Sequence, residues 1–143
     1  MKAMVIETPK GTIVCSLATD PGAGVATTVA HFEKKANAGD FDGLKFHRVE
    51  NWVIQGGDPS GNGTGGGKMP AEYNNLPFNT GALGVARGPD KSKNSDTQFF
   101  IVKTNSTFLD GDYTNFGQVT EGMDVVNQIK IGDKMTSVRV EER

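Results

Sequence analysis

The sequence predicts a mainly β fold, a closed or nearly closed antiparallel barrel whose ends are covered by two α-helices. Many short segments alternate apolar and polar residues, which is the two-residue period of a half-buried strand. Clusters of Gly, Pro, Asn and Asp separate these segments, and only two stretches show helical spacing. No repeat, linker or change of composition interrupts residues 1–143, so we expect one domain.

The chain begins with a predicted hairpin and a predicted helix. Residues 4–8 and 12–17 alternate in hydrophobicity on either side of Pro9-Lys10-Gly11, which is a turn sequence. After a loop at 20–24, apolar residues recur along one helix face: Val25, Val29, Phe32 and Ala36. Gly39 follows at a position where a helix commonly ends.

The remaining elements are mostly strands. They are predicted at residues 44–49, 52–55, 82–86, 97–103 and 116–119, and a last strand contains Val138 and Val140. Residues 56–80 are rich in Gly, Pro and Asn and are predicted to be irregular, as is the polar loop 87–96. Thr120 is the predicted cap of a second helix. Its apolar face carries Met123, Val126 and Ile129.

The composition is that of an ordinary soluble protein. Hydrophobic residues make up 36% of the chain and charged residues 22%, with a net charge of −2. Nucleic acid and anionic membranes are therefore not expected partners.

Met1 leads directly into an alternating segment rather than a secretion signal, which predicts a cytoplasmic location. The lone Cys15 excludes an internal disulfide and is expected to pack as a small apolar residue.

A glycine-rich segment raises the hypothesis of a nucleotide-binding enzyme. Residues 61–66 match G-x-G-x-x-G, a pattern that binds pyrophosphate when a strand precedes it and a helix follows. Here Lys68-Met69-Pro70 follows, which is not a helix start. A loop that lets a peptide backbone approach closely is the preferred interpretation. The nucleotide hypothesis predicts thermal stabilisation by nucleotide, and we expect none.

The sequence contains no pattern typical of nucleophilic or metal catalysis. There are two histidines, His31 and His47, and no H-E-x-x-H, C-x-x-C or G-x-S-x-G. Alternation places His47 opposite Phe46 and Arg48, and it is interpreted as a hydrogen-bonded structural histidine. We therefore expect no metal and no cofactor, and an enzyme with this sequence would use neither a nucleophile nor proton transfer.

A permanently charged guanidinium and two amides occur among large apolar side chains. Arg48 and Gln55 lie in two neighbouring predicted strands around Trp52 and Val53. Alternation also places Gln98 and Phe100 on one face of their strand. Buried donors and acceptors need partners, so this pattern indicates a site where a carbonyl-bearing ligand meets an apolar wall.

These segments resemble the cyclophilin family of peptidyl-prolyl cis–trans isomerases. The resemblance rests on Phe46-His47-Arg48, residues 52–58 and 62–66, Gln98-Phe99-Phe100-Ile101, Phe108-Leu109-Asp110-Gly111, Phe116-Gly117 and Glu121-Gly122-Met123, which occur in the family's order. It extends from the first hairpin to residue 140. It implies a closed eight-stranded antiparallel β-barrel capped by two α-helices, which agrees with the elements above.

The resemblance also assigns roles to residues. It implies that Arg48 is the catalytic arginine and that Gln55 holds it. The implied substrate-binding residues are Trp52, Val53, Thr64, Ala86, Arg87, Gln98, Phe100, Phe108, Leu109, Tyr113 and Phe116. Among them, Val53, Phe100 and Leu109 would form the proline pocket, with Phe108, Tyr113 and Phe116 at its rim. The peptide backbone would lie along Ala86 and Arg87 beside Gln98, and Thr64 would border a neighbouring pocket.

Several positions depart from the family pattern. Val53 replaces a usual methionine, which predicts a shallower pocket, and Trp52 replaces a usual phenylalanine. Tyr113 stands at a usual histidine position, as in bacterial-type members. Phe108 replaces the tryptophan whose indole N–H bonds cyclosporin, so cyclosporin is expected to bind weakly. The segment between Arg48 and Trp52 is one residue shorter than in the animal cytosolic type, and the loop 87–97 is two residues longer.

The expected function is therefore rotation about X-Pro peptide bonds, which assists protein folding. The expected partners are proline-containing peptides and unfolded proteins, and the expected state is a monomer. Because of the changes at Val53 and Trp52, a proline-peptide binding or scaffold module with the same fold and little turnover stays open as the alternative.

Overall fold

Ten strands and two α-helices make up the computed structural model, which describes residues 1–143. The strands are β1 (Lys2–Thr8), β2 (Gly11–Leu17), β3 (Phe46–Val49), β4 (Val53–Gly56), β5 (Lys68–Pro70), β6 (Ala82–Val85), β7 (Lys93–Ser95), β8 (Phe99–Val102), β9 (Asn115–Glu121) and β10 (Ser137–Glu142). The helices are α1 (Ala26–Asn37) and α2 (Met123–Gln128). Short 3-10 turns occur at Pro21–Ala23 and Thr107–Leu109.

Eight strands form one curled antiparallel sheet in the order β10-β1-β2-β9-β6-β8-β4-β3. The two edges, β3 and β10, share no ladder. The Phe46 N–H donates to the Asp133 carbonyl over 2.9 Å, and the Met135 N–H donates to the Leu44 carbonyl over 2.8 Å. These bonds stop before β10 begins at Ser137, so the sheet stays partly open along this edge. The predicted eight-stranded antiparallel architecture is confirmed, whereas a fully closed barrel was an overstatement.

The interior of the curled sheet contains the main core, a cluster of 24 buried residues. Phe32 of α1 packs its ring 4.7 Å from that of Phe116 and 6.0 Å from that of Phe41, as measured between centroids. The predicted apolar face of α1 is confirmed, because Val29, Phe32 and Ala36 are all buried. Burying such aromatic and aliphatic area against the sheet is the dominant stabilising contribution in a fold of this type.

Two predictions about secondary structure were wrong. Thr120 does not cap α2, because pairing with β2 extends β9 through Glu121 and the helix follows the left-handed Gly122. The second error concerns the segments predicted to be irregular. They contain β5 and β7, which pair with each other as a separate two-stranded sheet. Their six residues are mostly polar and show no apolar alternation, so local sequence carries no strand signal there.

The helices of this fold are short. They contain 12 and 6 residues. Neither is long and apolar enough to cross a membrane.

Candidate active site

A cavity of about 380 Å³ lies on the outer side of the sheet, where β3, β4 and β8 meet the segment around the second 3-10 turn. Its ten lining residues are Arg48, Trp52, Val53, Gln55, Ala86, Arg87, Phe100, Phe108, Leu109 and Tyr113. Seven of these are hydrophobic. The cavity is thus an apolar depression with a small number of polar groups, which is the usual composition of a ligand site.

The floor of this cavity is a second hydrophobic cluster, separate from the main core. Its six buried residues are Val53, Phe78, Ala82, Phe100, Val102 and Leu109. Alternation along β8 produces the separation, because Phe99 faces the main core while Phe100 faces the cavity floor. The Phe100 ring stacks on Phe78 and meets Tyr113 edge to face, each at a centroid distance of 5.8 Å. The floor is therefore held in place by its own packing.

Gly84 on β6 makes room for this arrangement. A Cβ atom at Gly84 would lie 2.2 Å from Cζ of the Phe100 ring. A side chain at this position would clash with the ring, so only glycine fits here. The cavity floor thus depends on a residue with no side chain.

A β-bulge directs Arg48 towards the cavity. In the β3–β4 ladder Phe46 pairs with Gly56, but Arg48 pairs with Gln55, so β3 contains one extra residue. Phe46 consequently faces the main core, where it is fully buried, while Arg48 faces the cavity with Gln55. The prediction that Phe46 and Arg48 share a face was wrong, because simple alternation does not account for a bulge.

The Arg48 guanidinium is held by three neighbours. Its Nε donates to Glu50 Oε2 over 2.7 Å, and its Nη2 lies 2.5 Å from the same oxygen. Its Nη1 donates to Gln55 Oε1 over 3.4 Å. The guanidinium carbon also lies 5.6 Å from the centroid of the Trp52 ring, which is within cation–π range. Arg48 is therefore oriented at the cavity before any ligand arrives.

The hydrogen-bond chain continues from Gln55 into the glycine-rich loop. Gln55 Nε2 donates to Gln98 Oε1 over 3.1 Å. Gln98 Nε2 in turn donates to the carbonyls of Gly63 and Gly65, over 3.2 and 3.1 Å. The two amides predicted to lie near Arg48 thus form one connected network that links the arginine to the loop.

A second, polar pocket of about 320 Å³ adjoins the apolar cavity. Only one of its sixteen lining residues is hydrophobic. Gln55, Ala86 and Arg87 line both pockets, while Thr64 and Gln98 line the polar one alone. A ligand that occupies both pockets would have to cross the boundary formed by the shared residues.

The glycine-rich loop does not have a phosphate-binding geometry. Its backbone N–H groups at Ser60, Asn62 and Gly63 point to the buried carboxylate of Asp58. Burial raises the pKa of Asp58, but these bonds and one from Gly65 outweigh that effect and hold the pKa below its ordinary value. The loop is followed by β5 rather than by a helix. Its amides are already occupied by an internal anion, which argues against the nucleotide hypothesis.

The interpretation of His47 as a hydrogen-bonded structural histidine was wrong. Its Nδ1 atom is buried and has no hydrogen-bond partner. Burial is the main cause of its lowered pKa, and Asp58 acts in the opposite direction. The ring is therefore neutral near pH 7, and it does not line the apolar cavity.

The structure brings twelve of the thirteen predicted site residues together. Ten line the apolar cavity, and Thr64 and Gln98 line the adjoining polar pocket. Phe116 is the exception. It is fully buried in the main core against Phe32 rather than at the rim of the cavity, because it occupies an inward position on β9.

Sequence reasoning did not identify Glu50, the carboxylate that binds Arg48. The signal was weak, because Glu50 lies two residues after the arginine in a segment read as a turn between strands. Lys68 and Lys93, which line the polar pocket, were also missed, because they lie on β5 and β7.

Comparisons with known proteins identify the family of this chain. Residues 3–143 match the family described as "Cyclophilin type peptidyl-prolyl cis-trans isomerase/CLD". The chain is 45% identical over 119 residues to peptidyl-prolyl cis-trans isomerase B of Bacillus subtilis, covering 80% of this chain and 82% of that protein. It is 39% identical over 145 aligned positions to a peptidyl-prolyl cis-trans isomerase of Synechococcus elongatus, covering 98% and 97%.

Solved structures show the same fold. A cyclophilin-type isomerase of Cryptosporidium parvum superposes with a TM-score of 0.89 at 23% identity, covering 99% of this chain and 98% of that one. The same protein in the presence of the dipeptide Ala-Pro gives a TM-score of 0.87 at 22% identity, with 99% of each chain covered. The family match over nearly the whole sequence, the two bacterial relatives and the shared fold lead to one assignment. This chain belongs to the cyclophilin-type peptidyl-prolyl cis-trans isomerases.

Proposed function

We propose that this chain catalyses rotation about X-Pro peptide bonds by holding the proline ring in the apolar cavity beneath the Arg48 guanidinium. One observation carries the proposal: a fixed cation lies at the mouth of a cavity whose floor is Val53, Phe100 and Leu109. No cofactor enters this chemistry, because no covalent bond is made or broken.

The reaction is limited by amide resonance. Rotation about a peptide C–N bond has a barrier of about 18–20 kcal/mol. Before proline, the cis and trans forms differ by only about 0.5–1 kcal/mol, yet they exchange over tens of seconds or longer. A catalyst therefore needs only to favour the twisted state, in which the amide nitrogen becomes pyramidal and regains its lone pair.

The two parts of the cavity favour that state in different ways. Water stabilises the planar, charge-separated amide by hydrogen bonding to its carbonyl. When the proline ring is held on the apolar floor, this water is excluded from the amide. Arg48 then donates to the proline carbonyl and to the developing lone pair on nitrogen. Because this second interaction exists only in the twisted state, it lowers the barrier rather than merely binding the substrate.

The peptide backbone would be anchored at Arg87. The N–H and carbonyl of Ala86 are already used, through bonds of 3.0 Å with the Gln98 carbonyl and 2.8 Å with the Ser95 N–H. Arg87 makes no backbone hydrogen bond, so its groups are available to an extended peptide. Its guanidinium lies 4.3 Å from the centroid of the Tyr113 ring, at the boundary between the two pockets.

The substrates would be exposed X-Pro segments of unfolded proteins and proline-containing peptides, and the activity would assist folding. The Cryptosporidium parvum relative was solved with Ala-Pro, which supports a proline ligand.

The proposed state is a monomer in the cytoplasm, and the free, buried Cys15 is compatible with a reducing compartment. A net charge of −2 gives no support for nucleic acid or membrane partners.

The decisive experiment measures isomerisation by the wild-type protein. Exchange NMR on an uncharged Ala-Pro tetrapeptide should show cis–trans exchange that accelerates in proportion to enzyme concentration. Trp52 is the only tryptophan and lines the cavity, so its fluorescence reports binding in the same samples. Binding without accelerated exchange would contradict the proposal and support the binding module. Neither binding nor acceleration would contradict both.

Cyclosporin provides a prediction about Phe108. This side chain is 67% exposed, and its ring lies 5.3 Å from that of Trp52 at the edge of the cavity. Phe108→Trp adds an indole N–H where the family resemblance implies a bond to the drug. We expect the inhibition constant to fall about tenfold, since one such hydrogen bond contributes about 1.4 kcal/mol.

The matched control is Phe108→Leu, which changes the shape of the rim without adding a donor. It should bind cyclosporin no more tightly than the wild type. An inhibition constant that is the same for Phe108→Trp and the wild type would count against the placement of Phe108 at the drug-binding edge.

A further inference from the structure

Glu50 is the carboxylate in direct contact with the Arg48 guanidinium. Its Oε2 accepts from Nε over 2.7 Å and lies 2.5 Å from Nη2, so one oxygen spans one side of the guanidinium. The Glu50 backbone is itself fixed, because its N–H donates to the Val53 carbonyl over 2.8 Å across the turn between β3 and β4. The carboxylate is therefore held at a defined place beside the cavity, although it does not line the cavity itself.

The donor inventory of Arg48 shows what this contact leaves free. A guanidinium has five N–H groups in a rigid plane. Glu50 engages the side formed by Nε and Nη2, and Gln55 accepts one N–H of Nη1. One N–H on each terminal nitrogen stays available. The two acceptors thus leave two N–H groups free for a substrate carbonyl and nitrogen.

We propose that Glu50 is a positioning residue for proline isomerisation, which holds Arg48 so that the free end of its guanidinium faces the proline in the cavity. This inference rests on the proposed function of Arg48. Glu50 would not touch the substrate. It would act by limiting the rotation of the arginine side chain, so that the transition-state hydrogen bond forms without first ordering that side chain.

The ion pair is suited to this role and is poorly suited to stabilising the fold. Both side chains are 46% exposed, and exposed pairs of this kind contribute little to folding stability. Removing the carboxylate charge should therefore leave the structure intact while loosening Arg48. The turn remains, because it depends on the backbone of Glu50 and not on its side chain.

Glu50→Gln is the direct test, since it keeps the size of the side chain and removes its charge. We expect kcat to fall about tenfold and KM to change less than about twofold, because the orienting bond to a charged partner is weakened while the apolar floor is untouched. The Arg48 Nε–H resonance, protected by its bond to Glu50 in the wild type, should exchange faster with solvent in the variant. A merely structural contact would instead lower the free energy of unfolding and leave kcat of the folded variant unchanged.

Glu33→Gln is the matched control. Glu33 is also a partly exposed glutamate in an ion pair, 2.8 Å from Lys2, and it lines neither pocket. It should leave kcat and the Arg48 resonance unchanged. Rising salt concentration should lower the wild-type rate towards that of Glu50→Gln, because salt screens an exposed ion pair. This rate is measured on an uncharged tetrapeptide.

The outcomes separate this inference from the proposed function. A wild-type protein that does not accelerate exchange overturns the proposed function. An active wild type with an unchanged or faster Glu50→Gln variant overturns only the role of Glu50. A faster variant would mean that the carboxylate weakens Arg48 as a donor instead of orienting it.

Discussion

Arg48→Ala is expected to reduce kcat/KM for a proline tetrapeptide by about two to three orders of magnitude, the loss that follows removal of a donor to transition-state charge. Such a reduction corresponds to about 3–4 kcal/mol of lost transition-state stabilisation. Alanine at position 48 does not change the apolar floor, and it removes the only guanidinium bonded to Gln55. The measurement is exchange NMR on wild type and variant in parallel, with kcat and KM determined separately.

Two further variants sharpen this test. Arg48→Lys keeps the charge but replaces a planar fork with a single ammonium, so it should recover little of the rate. Arg139→Ala removes an arginine paired with Glu141 on β10, away from both pockets, and should retain full activity. Thermal unfolding should show that Arg48→Ala remains folded, since the arginine side chain is 46% exposed. Wild-type rates in Arg48→Ala would remove the basis of the proposed mechanism.

Phe116→Ala is expected to destabilise the fold by about 3–5 kcal/mol, as large-to-small changes of buried aromatics do. Phe116 is fully buried in the main core, with its ring 4.7 Å from that of Phe32 on α1. The change would open a cavity between the helix and the sheet. Urea denaturation followed by circular dichroism measures the free energy of unfolding directly.

Phe108→Ala is the matched control, because this phenylalanine lies at the cavity rim and is 67% exposed. It should alter peptide affinity with little change in stability. Phe116→Leu fills most of the same volume and should fold with nearly normal turnover. If Phe116→Leu were fully stable but unable to bind peptide, Phe116 would belong at the rim, as the family resemblance implies, and its core position would be wrong.

The contrast between these phenylalanines shows where pattern reasoning succeeds and where it fails. Along β8, strict alternation separates Phe99 from Phe100, and the structure agrees with the sequence. Along β3, the same rule fails, because the bulge at His47 adds a residue and turns Arg48 to the opposite face from Phe46. A bulge depends on the pairing of two strands, and no single segment encodes it visibly.

The polar parts of the site show a similar division. The amides of Gln55 and Gln98 were recognisable as groups that need partners, and the structure joins them directly. The Glu50 contact was not recognisable, because an exposed carboxylate in a turn is common in any soluble protein. Strands β5 and β7 are not predicted by the sequence for a related reason. Their strand geometry comes from pairing with each other and not from local propensity.

Sequence alone determined the antiparallel class of the fold, the apolar face of α1 and the group of residues that forms the cavity. The first two depend on periodicity, which is a local property of the chain, and the third depends on the resemblance of the sequence to the cyclophilin family. The tertiary structure alone decided that the sheet stays partly open, that Arg48 faces the cavity between Glu50 and Gln55, and that Phe116 belongs to the core. These features depend on strand register and on packing between distant segments, so they exist only once the whole chain has folded.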